Sequence, residues 1–88
     1  MKVAIVTGAA GGMGRAITDR LLADGLQVVG VDIDGAALLT MAADREGFTP
    51  EAVDLTDPEA IADLFDRVTT RFGGVDALVN NAGTCFMS

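Results

Sequence analysis

The chain has no histidine, no tyrosine and no tryptophan. It has one lysine, Lys2, one serine, Ser88, and one cysteine, Cys85. Each scarcity excludes something. Without histidine there is no imidazole base and no His-containing metal site, and no metal site is expected. A lone cysteine forms no internal disulfide, which suits a reducing compartment. No lysine or arginine lies near Cys85 in sequence to favour a thiolate, so it reads as an ordinary small residue near the chain end rather than a nucleophile. Positive charge is also sparse. Six Lys and Arg stand against thirteen Asp and Glu, giving a net charge of −7, and the six are scattered. With no basic stripe, neither nucleic acid nor an anionic membrane is an expected partner. Long hydrophobic runs are missing too: nothing approaches the roughly 18–20 apolar residues of a spanning helix. The run Val3–Val6 behind Met1-Lys2 is too short for a signal-peptide core and breaks into glycines. The expectation is a soluble, cytoplasmic protein.

Apolar residues are plentiful, at 50% of 88, so a packed core is expected rather than disorder. The length allows one small domain, which buries only about 60–65% of its unfolded surface. No repeat, linker or low-complexity segment divides it.

The stretch from Lys2 to Gly14 organises the rest. Val3-Ala4-Ile5-Val6 is an uninterrupted apolar run that suits a strand buried on both faces. Thr7-Gly8-Ala9-Ala10-Gly11-Gly12-Met13-Gly14 follows, and then apolar residues at helical spacing. Strand, glycine turn and helix in that order make an anion-binding element, because bare backbone N–H groups and a helix N-terminus attract negative charge. The spacing is neither G-x-G-x-x-G, since its third glycine would fall on Ile17, nor the P-loop, since no Gly-Lys-Ser/Thr follows. It is Thr-Gly, three residues, then Gly12-x-Gly14. Taken alone, such a cluster also suits a flexible turn.

Further along, a first helix is expected from Gly12 to Asp24, with Ile17, Leu21 and Leu22 inward and Gly25 as its stop. Gln27–Val31 is a second strand ending at Asp32. Asp34 is a candidate N-cap for a helix over Gly35–Glu46, with Leu38, Met41 and Ala42 on one face and Gly47 as stop. A strand over Phe48–Val53 contains Pro50 and should therefore lie at a sheet edge. The next helix starts either with a Thr56/Glu59 capping box or with Asp57 as cap and Pro58 at the first helical position. Ile61, Leu64, Phe65, Val68 and Phe72 form its inward stripe, and Gly73-Gly74 ends it. Asp76–Val79 is a fourth strand, before Asn80-Asn81-Ala82-Gly83. The order β-α-β-α-β-α-β with short connections implies an α/β fold with a parallel sheet and right-handed crossovers.

Thr-Gly-x-x-x-Gly-x-Gly after an N-terminal strand, an acid at Asp32, Asp54 after the third strand and Asn80-Asn81-Ala82-Gly83 after the fourth together resemble the short-chain dehydrogenase/reductase family. The resemblance covers about 80 residues, in register. It implies a Rossmann-type sheet in the order 3-2-1-4, incomplete relative to the full doubly wound fold, with the first two helices on one face and the third on the other. Residues 1–88 would be a partial NAD-binding domain with no second domain. The resemblance implies cofactor contacts at Gly8, Gly12, Met13, Gly14, Asp32, Ile33, Asp54, Leu55, Asn80, Asn81, Ala82 and Gly83. Asp32 stands twenty residues after Gly12, where an acid takes the adenosine ribose hydroxyls. Its carboxylate would repel a 2′-phosphate, and neither Gly11 nor Ile33 is basic, so NAD is expected over NADP. The resemblance places Asp54 and Leu55 at the adenine and Gly83 beside the cofactor. Adjacent Asn80 and Asn81 side chains can satisfy backbone groups where the sheet ends. Met13 would offer its N–H rather than its sulfur. Arg15 either reaches a phosphate or faces solvent.

In this family hydride transfer uses a tyrosine, a lysine four residues later and a serine, all beyond the Asn-Asn-Ala-Gly element. None is matched here, so no catalytic residue is assigned and the chain alone is expected to be inactive. Three readings stay open. The chain is the N-terminal part of a longer NAD-dependent oxidoreductase acting on an alcohol or ketone, a free-standing NAD- or ADP-binding module, or a folded fragment that binds nothing. Self-association through an exposed fourth-strand edge is expected.

Overall fold

All five residues of β1 (Val3–Thr7) are buried, as a strand covered on both faces requires. In the computed structural model, which describes residues 2–81, β1 is followed by α1 (Gly12–Ala23), β2 (Gln27–Asp32), α2 (Gly35–Ala43), β3 (Phe48–Ala52), α3 (Pro58–Phe72) and β4 (Ala77–Asn80). The strands form one parallel sheet in the order β3-β2-β1-β4, the expected Rossmann-type order. Ile5 pairs with both Val29 and Leu78. Pro50 lies opposite Gly30 on the edge strand β3, where its missing N–H costs no ladder bond with a further strand.

Strand alternation divides the core. On one face Val3, Ile5, Val29, Val31 and Val53 pack with Leu64 and Val68 of α3. On the other, Val6, Ala9, Val28 and Phe48 pack with Leu38 and Met41 of α2, with Ile17, Leu21 and Leu22 of α1 against them. The two-plus-one distribution of helices is therefore as expected.

Differences from the sequence reading are local. The fully buried face of α1 is Gly14 and Thr18, while Ile17, Leu21 and Leu22 are only half-buried. Gly14 and Thr18 lie one turn apart on the line of closest approach to the sheet, and the longer side chains flank that line. The Thr18 hydroxyl is buried without a hydrogen-bond partner among the described residues. α2 stops at Ala43, not Glu46, because the chain turns at Asp44 so that Arg45 can reach back to Asp19 of α1 at 2.7 Å. β3 ends one residue earlier than expected, and β4 is shifted by one, to Ala77–Asn80. Asp76 instead ties the start of β4 to β1. Its carboxylate accepts the Val3 N–H at 2.8 Å, and its own N–H donates to the Val3 carbonyl.

Of the two possible starts for α3, Asp57 caps it, accepting from the Glu59 and Ala60 N–H groups with Pro58 in the first turn. Thr56 instead turns its hydroxyl to Asp54 at 2.7 Å. Asp34 caps α2 by accepting the Ala37 N–H at 3.1 Å.

Candidate functional site

The four parallel strands deliver their C-terminal ends to one rim of the sheet, and the loop after β1 dominates it. Gly8 takes φ 64°, a left-handed conformation that a side chain disfavours. The next two amides turn towards β2. Ala9 N–H donates to the Val31 carbonyl and Ala10 N–H to Asp32 Oδ2, both at 3.1 Å. Gly11 N–H closes the turn onto the Gly8 carbonyl at 3.2 Å.

α1 then begins with no side-chain cap at Gly11 and no acid in its first turn. The N–H groups of Gly12, Met13 and Gly14 are orphan donors, without a partner among the described residues. Gly12 is exposed, and nothing lies within 4 Å of where a Cβ there would be. Gly14 differs. It is buried, and a Cβ there would meet the Gly8 carbonyl oxygen at 2.0 Å and Ala9 Cα at 2.8 Å. Its lack of a side chain lets α1 lie directly on the turn. Met13 is 69% exposed at the mouth of the rim. Arg15 is drawn back by an Nε–H bond to the Ala10 carbonyl at 3.0 Å.

Beside the turn a crevice of about 200 Å³ is lined by Gly8, Asp32, Ile33, Val53, Asp54 and Leu55. β2 delivers Asp32, whose two oxygens accept the Ala10 and Asp34 N–H groups. Two acceptor positions per carboxylate thereby remain for other donors. Ile33 follows with 74% of its surface exposed, an apolar plate on the crevice lip. Across from it, Asp54 is exposed. Its Oδ1 accepts the Thr56 hydroxyl and the Thr56 N–H, and these bonds hold its carboxyl below its ordinary pKa. The Leu55 N–H has no partner among the described residues.

β4 supplies the far side. The Thr7 hydroxyl lies 3.0 Å from Asn80 Oδ1 and 3.3 Å from the Val79 carbonyl. Asn81 Nδ2 donates to the Gly8 carbonyl at 3.2 Å, so this asparagine does satisfy a backbone group where the sheet ends. A larger, mostly apolar hollow of about 380 Å³ opens under α3, lined by residues that include Ile5, Ile61, Phe65 and Leu78. Ala82 and Gly83, and Cys85 with them, lie outside the described residues.

The structure thus gathers Gly8, Gly12, Met13, Gly14, Asp32, Ile33, Asp54, Leu55, Asn80 and Asn81 along one rim. The sequence reading gave Ala10 no role. Its contribution is a backbone N–H, which leaves no trace in the residue type. Among the described residues, no group of three or more Cys, Asp or Glu side chains is placed to hold a metal ion, and no helix is long and apolar enough to cross a membrane.

Comparison with known proteins gives a consistent result. The chain is 43% identical over 86 residues to a 1-deoxy-11-beta-hydroxypentalenate dehydrogenase of Streptomyces arenae, a match covering 93% of this chain and 30% of that protein. It is 44% identical over 88 residues to the bovine 15-hydroxyprostaglandin dehydrogenase [NAD(+)], covering 93% of this chain and 33% of that one. Among solved structures, 3-ketoacyl-(acyl-carrier-protein) reductase of Brucella melitensis complexed with NADH superposes with a TM-score of 0.82 at 31% identity. That superposition covers 88% of this chain and 32% of the reductase. The chain therefore spans about a third of the length of the relatives it matches. The sequence profile of short chain dehydrogenases matches residues 2–88, and the chain belongs to that family.

Proposed function

We propose that these residues form the dinucleotide-binding part of an oxidoreductase and take NAD(H). The observation that carries this reading is the uncapped start of α1. Three unpartnered N–H groups, at Gly12, Met13 and Gly14, stand beside a crevice walled by an acid. A pyrophosphate satisfies those donors and is favoured by the helix dipole. The adenosine then lies in the crevice, its ribose hydroxyls donating to Asp32 and its ring between Ile33 and the Asp54–Leu55 segment. The complex of the Brucella reductase with NADH, and the cofactor in the bovine relative's name, support the same class of ligand.

Asp32 favours NAD over NADP. A carboxylate about 4 Å from each charge of a 2′-phosphate is repelled by roughly 1–4 kcal/mol per pair, between water-like and surface screening. No lysine or arginine stands at position 11 or 33 to offset this.

When bound, the nicotinamide supplies or accepts the hydride. A carbonyl reduced to an alkoxide also needs a proton, from a group held at its oxygen. The chain contains no tyrosine, its lysine is Lys2 and its serine is Ser88, so no residue here fills that post. These 88 residues bind without turning over, and activity on an alcohol or ketone belongs to a chain that also carries the proton donor.

Titration calorimetry on the chain tests this. Saturable NAD binding is expected in the micromolar-to-millimolar range, roughly −4 to −8 kcal/mol. NADP should bind about tenfold or more weakly than NAD, and Asp32→Ala should lose about tenfold for NAD, a 1.4 kcal/mol effect. No NAD binding at millimolar concentration would overturn the reading. NADP binding as tightly as NAD would overturn the assigned preference.

A further inference from the structure

We propose that Asp32 is a positioning residue for the glycine turn, holding the amides of α1 in line through Ala10, in addition to walling the crevice. The proposal rests on the reading of those amides as the phosphate site. Three distant attachments fix the turn. The Ala9 N–H is tied to the Val31 carbonyl, the Gly8 carbonyl to Asn81 Nδ2, and the Ala10 N–H to Asp32 Oδ2. Only the last depends on an ionised side chain, and it is the one nearest the orphan donors, two residues before Gly12. The carboxylate is itself braced. Its other oxygen accepts the Asp34 N–H at 3.1 Å, where α2 begins. Asp32 is thus gripped at both oxygens by backbone, and the turn is registered to the β2–α2 junction rather than hanging free between β1 and α1. Charge-assisted bonds of this kind are about twice as strong as neutral ones.

Positioning and charge have opposite signs here, which makes the proposal testable. Removing an anion near a phosphate site strengthens phosphate binding by Coulomb's law. Loosening the turn weakens it, because preorganised donors then have to be ordered on binding. Inorganic pyrophosphate is the probe, since it has no ribose for Asp32 to touch.

The experiment measures pyrophosphate affinity by calorimetry and amide exchange at Ala10 by NMR, in the wild-type chain and three variants. Asp32→Ala removes the tie. Asp32→Asn keeps one acceptor oxygen and serves if the alanine variant fails to fold. Asp34→Asn removes an equal charge nearby and keeps a capping oxygen for Ala37. The expected result in Asp32→Ala is pyrophosphate binding weaker by about fivefold or more and Ala10 exchange faster by about tenfold or more, the loss of one charged hydrogen bond. Asp32→Asn should fall between that variant and wild type, and Asp34→Asn should leave exchange unchanged and affinity equal or higher. Unchanged Ala10 exchange in both Asp32 variants, or pyrophosphate binding as tight as wild type, overturns the proposal. If the wild type binds no pyrophosphate while Ala10 exchange still depends on Asp32, the phosphate site is what fails, and the tie is structural only.

Discussion

Gly14→Ala separates two accounts of the glycine cluster. If Gly14 only kept a path clear for a ligand, an alanine there would raise stability, because Gly→Ala inside a helix gains about 0.5–1 kcal/mol. The structure argues the reverse. The new Cβ would stand 2.0 Å from the Gly8 carbonyl oxygen, 2.8 Å from its carbon and 2.8 Å from Ala9 Cα. All three are backbone atoms. They belong to a turn pinned through Ala9 and Ala10 to β2 and through Gly8 to Asn81, so none swings aside as a side-chain tip would. Relief requires α1 to lift off the sheet by more than 1 Å, against an ordinary contact of about 3.5–4.0 Å. Overpacking of this kind costs typically 1–3 kcal/mol or more, which exceeds the propensity gain. A net loss of about 1–2 kcal/mol is expected, in a domain of this size whose total is of order 4–13 kcal/mol. Gly12→Ala is the control, because nothing lies within 4 Å of its Cβ position. Urea unfolding followed by circular dichroism should place Gly14→Ala well below wild type and Gly12→Ala level with it or above. NAD affinity should fall in both, in Gly12→Ala because a methyl then occupies the open space beside the proposed phosphate site. Wild-type stability in Gly14→Ala would refute the packing argument.

Thr18→Val removes the one buried side-chain polar atom left unpaired among the described residues and keeps its shape, so a stability gain of about 1 kcal/mol is expected from the same urea titration. Asp19 is held below its ordinary pKa chiefly by its hydrogen bond to Arg45. A depressed acid stabilises the fold above its unfolded pKa and loses that contribution as pH falls through the folded value. Arg45→Met should therefore cost about 0–1 kcal/mol near pH 7, discounted because Asp19 is half exposed, and the difference should vanish well below about pH 4. Leu78 is 55% exposed on β4, at the rim of the apolar hollow under α3. Concentration-dependent self-association is expected by light scattering and should diminish in Leu78→Lys; a monodisperse wild-type monomer at high concentration would count against it.

What the sequence determined was everything within reach of a few neighbouring residues. The apolar run Val3–Val6, the cap at Asp34, a helix start within Thr56–Glu59 and the stripe Leu64–Val68 each act over at most one or two helical turns or one strand, so their consequences are written in order along the chain, although Asp57 rather than Thr56 emerged as the cap only in the structure. Pro50 announced an edge strand for an equally local reason, its missing N–H. The short connections implied a parallel sheet with right-handed crossovers, while its strand order was implied by the family resemblance. Tertiary structure decided what depends on residues far apart. Asp76 clasps Val3, and Asn81 reaches Gly8, each across 73 positions. The Ala10 amide meets Asp32 only once β1 and β2 are paired in register. Gly14 and Thr18, not the larger Ile17 or Leu21, proved to be the residues on which α1 rests, because how closely a helix can approach a sheet is a property of both surfaces. Residue type records what a side chain is able to do. Which backbone amides stay unpaired, and so remain able to hold a ligand, is settled only when distant partners have taken all the others.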